Sequence, residues 1–266
     1  MTPGVLYQMV SVVSIIGLNK IGLVKPHDDI SKLIVDAAKA EEIELSNFDV
    51  VVVSQKIISK SEGQLVDILK IRPSNRARSI AKRTKKDPRV IELILRDSKE
   101  VIRADRQALV VRRKDGLICL NAGVDKSNVD GDTIYARLPE NPDKSAVKIK
   151  KEIEKLTGKE VAVIVADTYS RPHRVGQVDF TIGLAGLEPI IDYRGHEDLF
   201  GYQLHYKYVG FADEIAAAAE LVMGQGVEGT PVAIVRGLSR MKLASATGLS
   251  KKLLLGKKRD IFHNST

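Results

Sequence analysis

The sequence predicts a mixed protein of the α/β or α+β class, and three observations predict it. Short apolar runs that suit buried strands, such as Phe48 to Val53 and Val161 to Ala166, alternate with longer amphipathic segments that suit helices. No internal repeat is visible. The one G-x-G-x-x-G stretch, Gly224 to Gly229, follows a helical segment and precedes a strand. A dinucleotide-binding Rossmann unit needs strand, glycines and helix in that order, so a Rossmann site is rejected.

In chain order, Met1 to Gln8 reads as a leader without structural content, and Val10, Val12 and Ile15-Ile16 as a first strand. Gly17 to Asp29 is a loop. Asp28 or Asp29 can cap a helix running to about Glu42, with Ile30, Leu33, Ile34 and Ala37 on one face. The strand 48–53 ends in Ser54-Gln55-Lys56. Pro73 to Glu100 reads as basic and helical, and Asp87-Pro88 supplies a fresh cap and first-turn proline for a second helix. Ala108 to Arg113 and Leu117 to Leu120 form a hairpin around Lys114-Asp115-Gly116. Asp143 to Leu156 is an amphipathic helix closed by Gly158, and a strand over 161–166 follows. Ala212 to Met223 is a helix, and Pro231 to Val235 the last strand.

Composition bounds the function. At 266 residues the chain has ample core for one large domain or two small ones. The single cysteine, Cys119, lies in an apolar run and reads as a packed core residue; with no disulfide possible within the chain, a reducing cytoplasm is expected. Met9 to Leu18 is too short and too interrupted to span a bilayer, and no Lys or Arg precedes it to make a signal peptide. The net charge of +8 suits an anionic partner: nucleic acid, a membrane surface or a phosphorylated metabolite. Nucleic acid is the weak choice. The basic cluster of Arg72 to Lys86 is followed at once by Glu92, Asp97 and Glu100, and no aromatic residue is interleaved for base stacking.

Chemistry concentrates at strand ends. Leu120 to Asp130 packs two acids, two asparagines, a lysine and a serine behind an apolar strand. Asp125 offers a hard oxygen ligand, and Asp167-Thr168 ends a second strand, so the two aspartates can serve one magnesium or manganese site. Ordinary turns account for the same residues taken singly. Lys56 and Lys60 suit phosphate, or are solvated surface residues. Arg171, His173 and Arg174 follow Asp167 closely and suit an anionic substrate. The glycines at 224, 226 and 229 let N–H groups approach a phosphate or a base, or simply stop a helix. No Walker A, G-x-S-x-G or zinc spacing is present.

Four motifs in chain order resemble the coenzyme F420-0:γ-glutamyl ligase family. They are VVSQKIISKSEG at 52–63, NAGVDKSN at 121–128, DTYSRPHRVGQVDFTIGLAG at 167–186, and ADEIAAAAELVMGQGVEGTPVAIVRG at 212–237. The resemblance implies an α+β chain of mixed sheets with flanking helices and two interwoven lobes, roughly 9–68 with 185–266 and 69–184. It also implies an intertwined homodimer in the cytoplasm.

The activity it implies is addition of L-glutamate to the deazaflavin coenzyme F420-0, driven by GTP with two divalent cations, Mg²⁺ or Mn²⁺, and potassium as a further cation. Asp125, Asp167, Thr168 and Gln225 would hold metal. GTP would meet Ile21, Gly22, Leu23, Val24, Gln55, Lys56, Lys60, Asn128 and the loop Met223, Gly224, Gln225, Gly226, Val227, Glu228, Gly229 and Thr230. Arg171, His173 and Arg174 would bind the acidic substrate. The chain departs from the family pattern at Gln225, where an acid can stand, and at Ser170, where glycine is common. Two other functions stay in view: a ligase of the same scaffold on another carboxylic acid, and a basic binding module.

Overall fold

The computed structural model describes residues 11–256. The expectations for Met1 to Gln8 and Val10 lie outside the described residues. The strands are β1 (Ser14–Leu18), β2 (Val50–Ser54), β3 (Leu65–Asp67), β4 (Ser98–Ala104), β5 (Leu109–Arg113), β6 (Ile118–Leu120), β7 (Ile134–Ala136), β8 (Ala162–Ser170), β9 (Gln177–Leu187), β10 (Ile191–Asp192), β11 (Tyr208–Val209), β12 (Val232–Arg236) and β13 (Leu243–Ala244). The helices are α1 (Ile30–Ala40), α2 (Gln55–Ser61), α3 (Asn75–Thr84), α4 (Pro88–Asp97), α5 (Pro142–Thr157) and α6 (Phe211–Met223).

A six-stranded mixed sheet in the order β1-β12-β2-β8-β9-β13 forms the centre. Only β2 and β8 pair in parallel. The four valines of β2 are fully buried, as a central strand covered on both faces requires. Val51, Val53, Val163 and Val165 face α1 and α5; Val50, Val52, Ile164 and Ala233 face α6. A third core packs α3 and α4 against the β4-β5-β6 sheet through Ile80, Ile91, Leu93, Ile94, Leu109 and Val111. The fold is α+β with several sheets, and it is not a Rossmann fold.

Local signals set the helix ends. Asp29 accepts from Ser31 N and Lys32 N ahead of α1, and Asp87 from Arg89 N ahead of α4. Gly158 caps α5 with φ 69°, a left-handed conformation that glycine adopts without a Cβ penalty. Close packing fixes where α5 starts. A Cβ added to Gly183 on β9 would stand 2.3 Å from the Pro142 carbonyl carbon.

Several elements differ from the sequence reading. The first strand begins at Ser14, and β2 at Val50 rather than Phe48, which has φ 69° and is half exposed. Helix α4 stops at Asp97, and the chain turns directly into β4, so the helical reading to Glu100 is too long. Residues 55–61 form a short helix to which the sequence reading gave no element, with Ser54 accepting from Lys56 N. Strand β8 does not end at Ala166. It runs on through Asp167 and Thr168 because an unanticipated partner, the long strand β9, supplies ladder bonds to that extension. Among the described residues no helix is long and apolar enough to cross a membrane.

Candidate functional site

The four motifs converge on one open cleft of about 1310 Å³. The first wall starts where β2 turns into α2. There Gln55, Lys56 and Lys60 line the cleft, and Lys56 Nζ pairs with Asp125 Oδ2 at 2.6 Å. The Lys56 side chain is 13% exposed and that of Asp125 47%. The amine of Lys60 is lowered from its ordinary value by burial and by the charge of Lys56. Two such amines in one wall are a binding surface for an anion.

Asp125 is fixed by the turn that follows it. Its Oδ1 accepts from Lys126 N at 2.7 Å and Ser127 N at 3.2 Å, and Ser127 Oγ donates to Oδ2. Burial works to raise its carboxyl, but the bonds from Lys56 and Ser127 outweigh that and hold it below the usual carboxylate range. Just upstream, Asn121 and Ala122 both hold positive φ, 52° and 54°. Two consecutive non-glycine residues in this conformation are costly, and such strain concentrates at functional sites.

The adjoining part of the lining comes from the β8–β9 pair, with β8 lying beside β2. Register sets Thr168 against Asp179 and Asp167 against Phe180. Thr168 Oγ1 lies 3.0 Å from Asp179 Oδ1 and 2.8 Å from Gln225 Oε1; Gln225 Nε2 donates to Asp179 Oδ1 at 2.9 Å. The threonine hydroxyl has one proton; when it goes to Gln225 Oε1, Asp179 Oδ1 is still served by Gln225 Nε2, so the three side chains form one connected cluster. Burial pushes the Asp167 carboxyl up to about 7; Asp179 and Asp125 add to this, and Thr168 N and Lys56 act against it. Burial and then Glu220 also raise Asp179, against hydrogen bonds from Thr168 and Gln225.

The glycine loop closes the cleft. Asn128 Nδ2 donates to Gly226 O at 3.4 Å, joining the second motif to the fourth. Glu228 accepts from Gly226 N at 2.7 Å, and Thr230 Oγ1 bonds Asn19 Oδ1 at 2.6 Å, which ties the loop to the segment carrying Gly22, Leu23 and Val24. Arg171 and His173 line the cleft near Asp167, and Arg171 Nε is buried without a partner.

Most residues singled out from sequence therefore meet in this cleft. Three do not line it: Ile21 is buried in the core beside α1, while Val227 and Arg174 are exposed. Sequence reasoning missed Asp179, although the alternation of Gln177, Asp179 and Thr181 with Val178, Phe180 and Ile182 was a strand signal with a polar face. Cys119 is a buried part of the cleft lining with its thiol pushed up to about 12 by burial, which disfavours the nucleophilic thiolate.

Asp125, Asp167, Thr168, Asp179 and Gln225 offer oxygen only. That chemistry fits a hard cation such as Mg²⁺ or Mn²⁺ and not zinc. Among the described residues no three of His, Cys, Asp and Glu converge as a complete metal cage. One or two carboxylates completed by phosphate and water are the usual arrangement for Mg²⁺, so the donor set fits.

Comparison with known proteins gives the class first: the relatives are ligases. The F420-0:Gamma-glutamyl ligase family matches residues 19–237. The chain is 44% identical over 250 residues to the coenzyme F420:L-glutamate ligase of Methanothermobacter thermautotrophicus, covering 94% of this chain and 98% of that protein. It is 43% identical to the enzyme of that name from Methanocaldococcus jannaschii (81% and 85% covered) and 39% to that from Methanopyrus kandleri (90% and 93%). The chain belongs to the F420-0:gamma-glutamyl ligase family.

Proposed function

We propose that the protein is a GTP-dependent ligase that joins L-glutamate to the deazaflavin coenzyme F420-0 through an acyl phosphate. The observation that carries this reading is the convergence of all four family motifs on one cleft, where amines and oxygen donors stand side by side.

The chemistry asks for such a site. A carboxylate does not acylate an amine at neutral pH, because an oxide is a poor leaving group. A carboxylate oxygen of the coenzyme attacks the γ-phosphorus of GTP, the bond to the β-phosphate oxygen breaks, and GDP leaves. The glutamate amine then attacks the acyl carbon, the C–O bond to phosphate breaks, and the nitrogen gives up a proton. A bound divalent cation supplies charge neutralisation of the phosphates. Lys56 and Lys60 hold phosphate oxygens, and Asn128 and the N–H groups of 224–230 position the nucleotide. Arg171, with its unspent Nε, orients a carboxylate, and His173 lies on the same wall. Asp125, Asp167, Thr168 and Gln225 hold the metal, with Asp179 as a fifth oxygen donor.

The working form in this reading is a homodimer. The segment between β10 and β11 supports it: Leu199, Phe200 and Tyr206 are 98%, 95% and 88% exposed, far more apolar surface than water favours. A monomer mass by light scattering at micromolar protein would end that part of the reading.

The activity test is incubation with GTP, Mn²⁺, L-glutamate and F420-0, following the coenzyme by mass spectrometry. The expected result is a gain of one or more glutamyl units, with GDP and phosphate released in step. GTP turnover without a gain in coenzyme mass would point to another carboxylic acid. Absence of turnover with any divalent metal would leave a binding module.

A further inference from the structure

Part of the cleft is apolar and takes no part in the phosphate chemistry. Ile102, Val110, Ile118 and Leu120 line it from the β4-β5-β6 sheet. Strand alternation explains their position. Val111 and Cys119 form one cross-strand pair and are buried, although Cys119 still reaches the lining, while Val110 and Leu120 form the neighbouring pair and line the cleft. Leu120 remains 38% exposed there.

A second apolar wall comes from near the C-terminal end of the described chain, beyond the region 19–237 that the family matches. Leu253, Leu254 and Leu255 line the same cleft, and Leu255 is 52% exposed. This segment is anchored. Ser250 Oγ donates to Asp143 Oδ2 at 2.8 Å, and Leu249 is buried in the core around α6. Its tip reaches the β5–β6 hairpin, where a Cβ built on Gly116 would stand 3.4 Å from Leu254 Cδ1. Two aliphatic walls from distant parts of the sequence thus meet at one stretch of the cleft. From Leu120 the chain needs only the turn Asn121–Gly123 to arrive at Asp125. The apolar stretch therefore adjoins the oxygen donors.

We infer that these walls form the berth for the flat heteroaromatic ring of the deazaflavin substrate, with its acidic tail directed toward Asp125 and Lys56. The inference rests on the ligase reading above. A flat ring presents two apolar faces, and both must leave water for tight binding; aliphatic carbons on two sides accomplish that. The guanine of the nucleotide is the competing occupant. Its recognition calls for hydrogen bonds along the ring edge, and the seven aliphatic side chains that form the two walls offer none.

The test uses the full chain carrying Leu120→Ser or Leu254→Ser, with Leu254→Met as the conservative control. Both positions are partly exposed, so the fold should survive, and the melting temperature checks this. KM for F420-0 should rise about tenfold in each serine variant, the loss expected from removing one large aliphatic contact. KM for GTP and for glutamate should move less than about twofold, and the methionine variant should stay near the parent. As a direct readout, the ring-ribityl fragment of the coenzyme, lacking the acidic tail, should bind the parent protein by fluorescence titration and bind the serine variants about tenfold more weakly.

Ligation with an unchanged KM for F420-0 in both serine variants would overturn the berth while leaving the ligase reading intact. A rise in KM for GTP instead would assign the wall to guanine and overturn it too. Equal losses in every parameter, not restored by methionine, would mark the leucines as structural and have the same force. Leucine-dependent binding of the fragment by a protein that ligates no F420-0 would sink the ligase reading and keep the berth.

Discussion

Asp167 offers a direct test of the metal assignment, because a proton and a cation compete for one carboxylate. Burial pushes this carboxyl up to about 7. A carboxylate must lose its proton to ligate a metal. At pH 6 only about one-tenth of such a group is ionised. Apparent Mn²⁺ affinity should therefore fall about tenfold per pH unit below 7, about 1.4 kcal/mol per unit, and level off above about pH 8. An ordinary aspartate, titrating near ~3.9, would leave the curve flat down to about pH 5.

Stability moves in a linked direction. The native state holds this proton more tightly than the unfolded chain, so stability without metal declines as pH rises from about 4 through about 7. Mn²⁺ relieves the charge, and its gain in melting temperature should be larger at about pH 8 than at about pH 6. The assay is calorimetric titration of Mn²⁺ between about pH 5.5 and 8.5 with a non-hydrolysable GTP analogue, on the parent and on Asp167→Asn. Equal affinity at about pH 6 and about pH 8 refutes the reasoning. So does a slope that persists in Asp167→Asn, since it would then belong to the nucleotide.

Three further outcomes are expected. Asp125→Asn should abolish ligation with the fold intact, read by product formation against the melting curve; near-parental turnover at limiting metal removes Asp125 from the metal site. Lys56→Met leaves Asp125 without its 2.6 Å partner and the cleft without one amine. KM for GTP should rise at least about tenfold, the scale of one lost charge-assisted bond, and KM for glutamate should move much less. Arg236→Met strips the two-pronged partner, at 2.8 and 2.7 Å, from the fully buried Asp49. Denaturant unfolding should show a loss of about 3 kcal/mol, the lower end for breaking a buried pair because the guanidinium is partly in water, and Asp49→Asn in the same chain should recover part of it.

Local signals in the sequence reported local structure well. The four-valine run of β2, the Asp87-Pro88 start of α4 and the Gly158 end of α5 each carry their cause within a few residues, and each forms where that cause places it. The site is legible to the same depth. Lys56, Asp125, Asp167 and the glycine loop stand inside distinctive motifs, although 69 residues separate Lys56 from its partner Asp125. What stayed hidden depends on pairing between distant segments. Strand β8 reads as ending at Ala166 because Asp167 and Thr168 are polar, and only the ladder with β9 keeps them extended. That ladder brings Asp179 to Thr168, and Gln225 reaches both from 46 residues beyond Asp179. No short window contains the reason for this cluster. The C-terminal leucines are hidden for the same cause: nothing within 249–255 marks a cleft wall, and it is Asp143, more than a hundred residues earlier, that anchors Ser250 in a segment whose Leu254 lies beside Gly116. The parts of the cleft that bind phosphate are thus written in contiguous motifs, since backbone N–H groups and lysines act from one loop each. The parts that grip an apolar ring are assembled from scattered side chains, since only apolar area and shape count there.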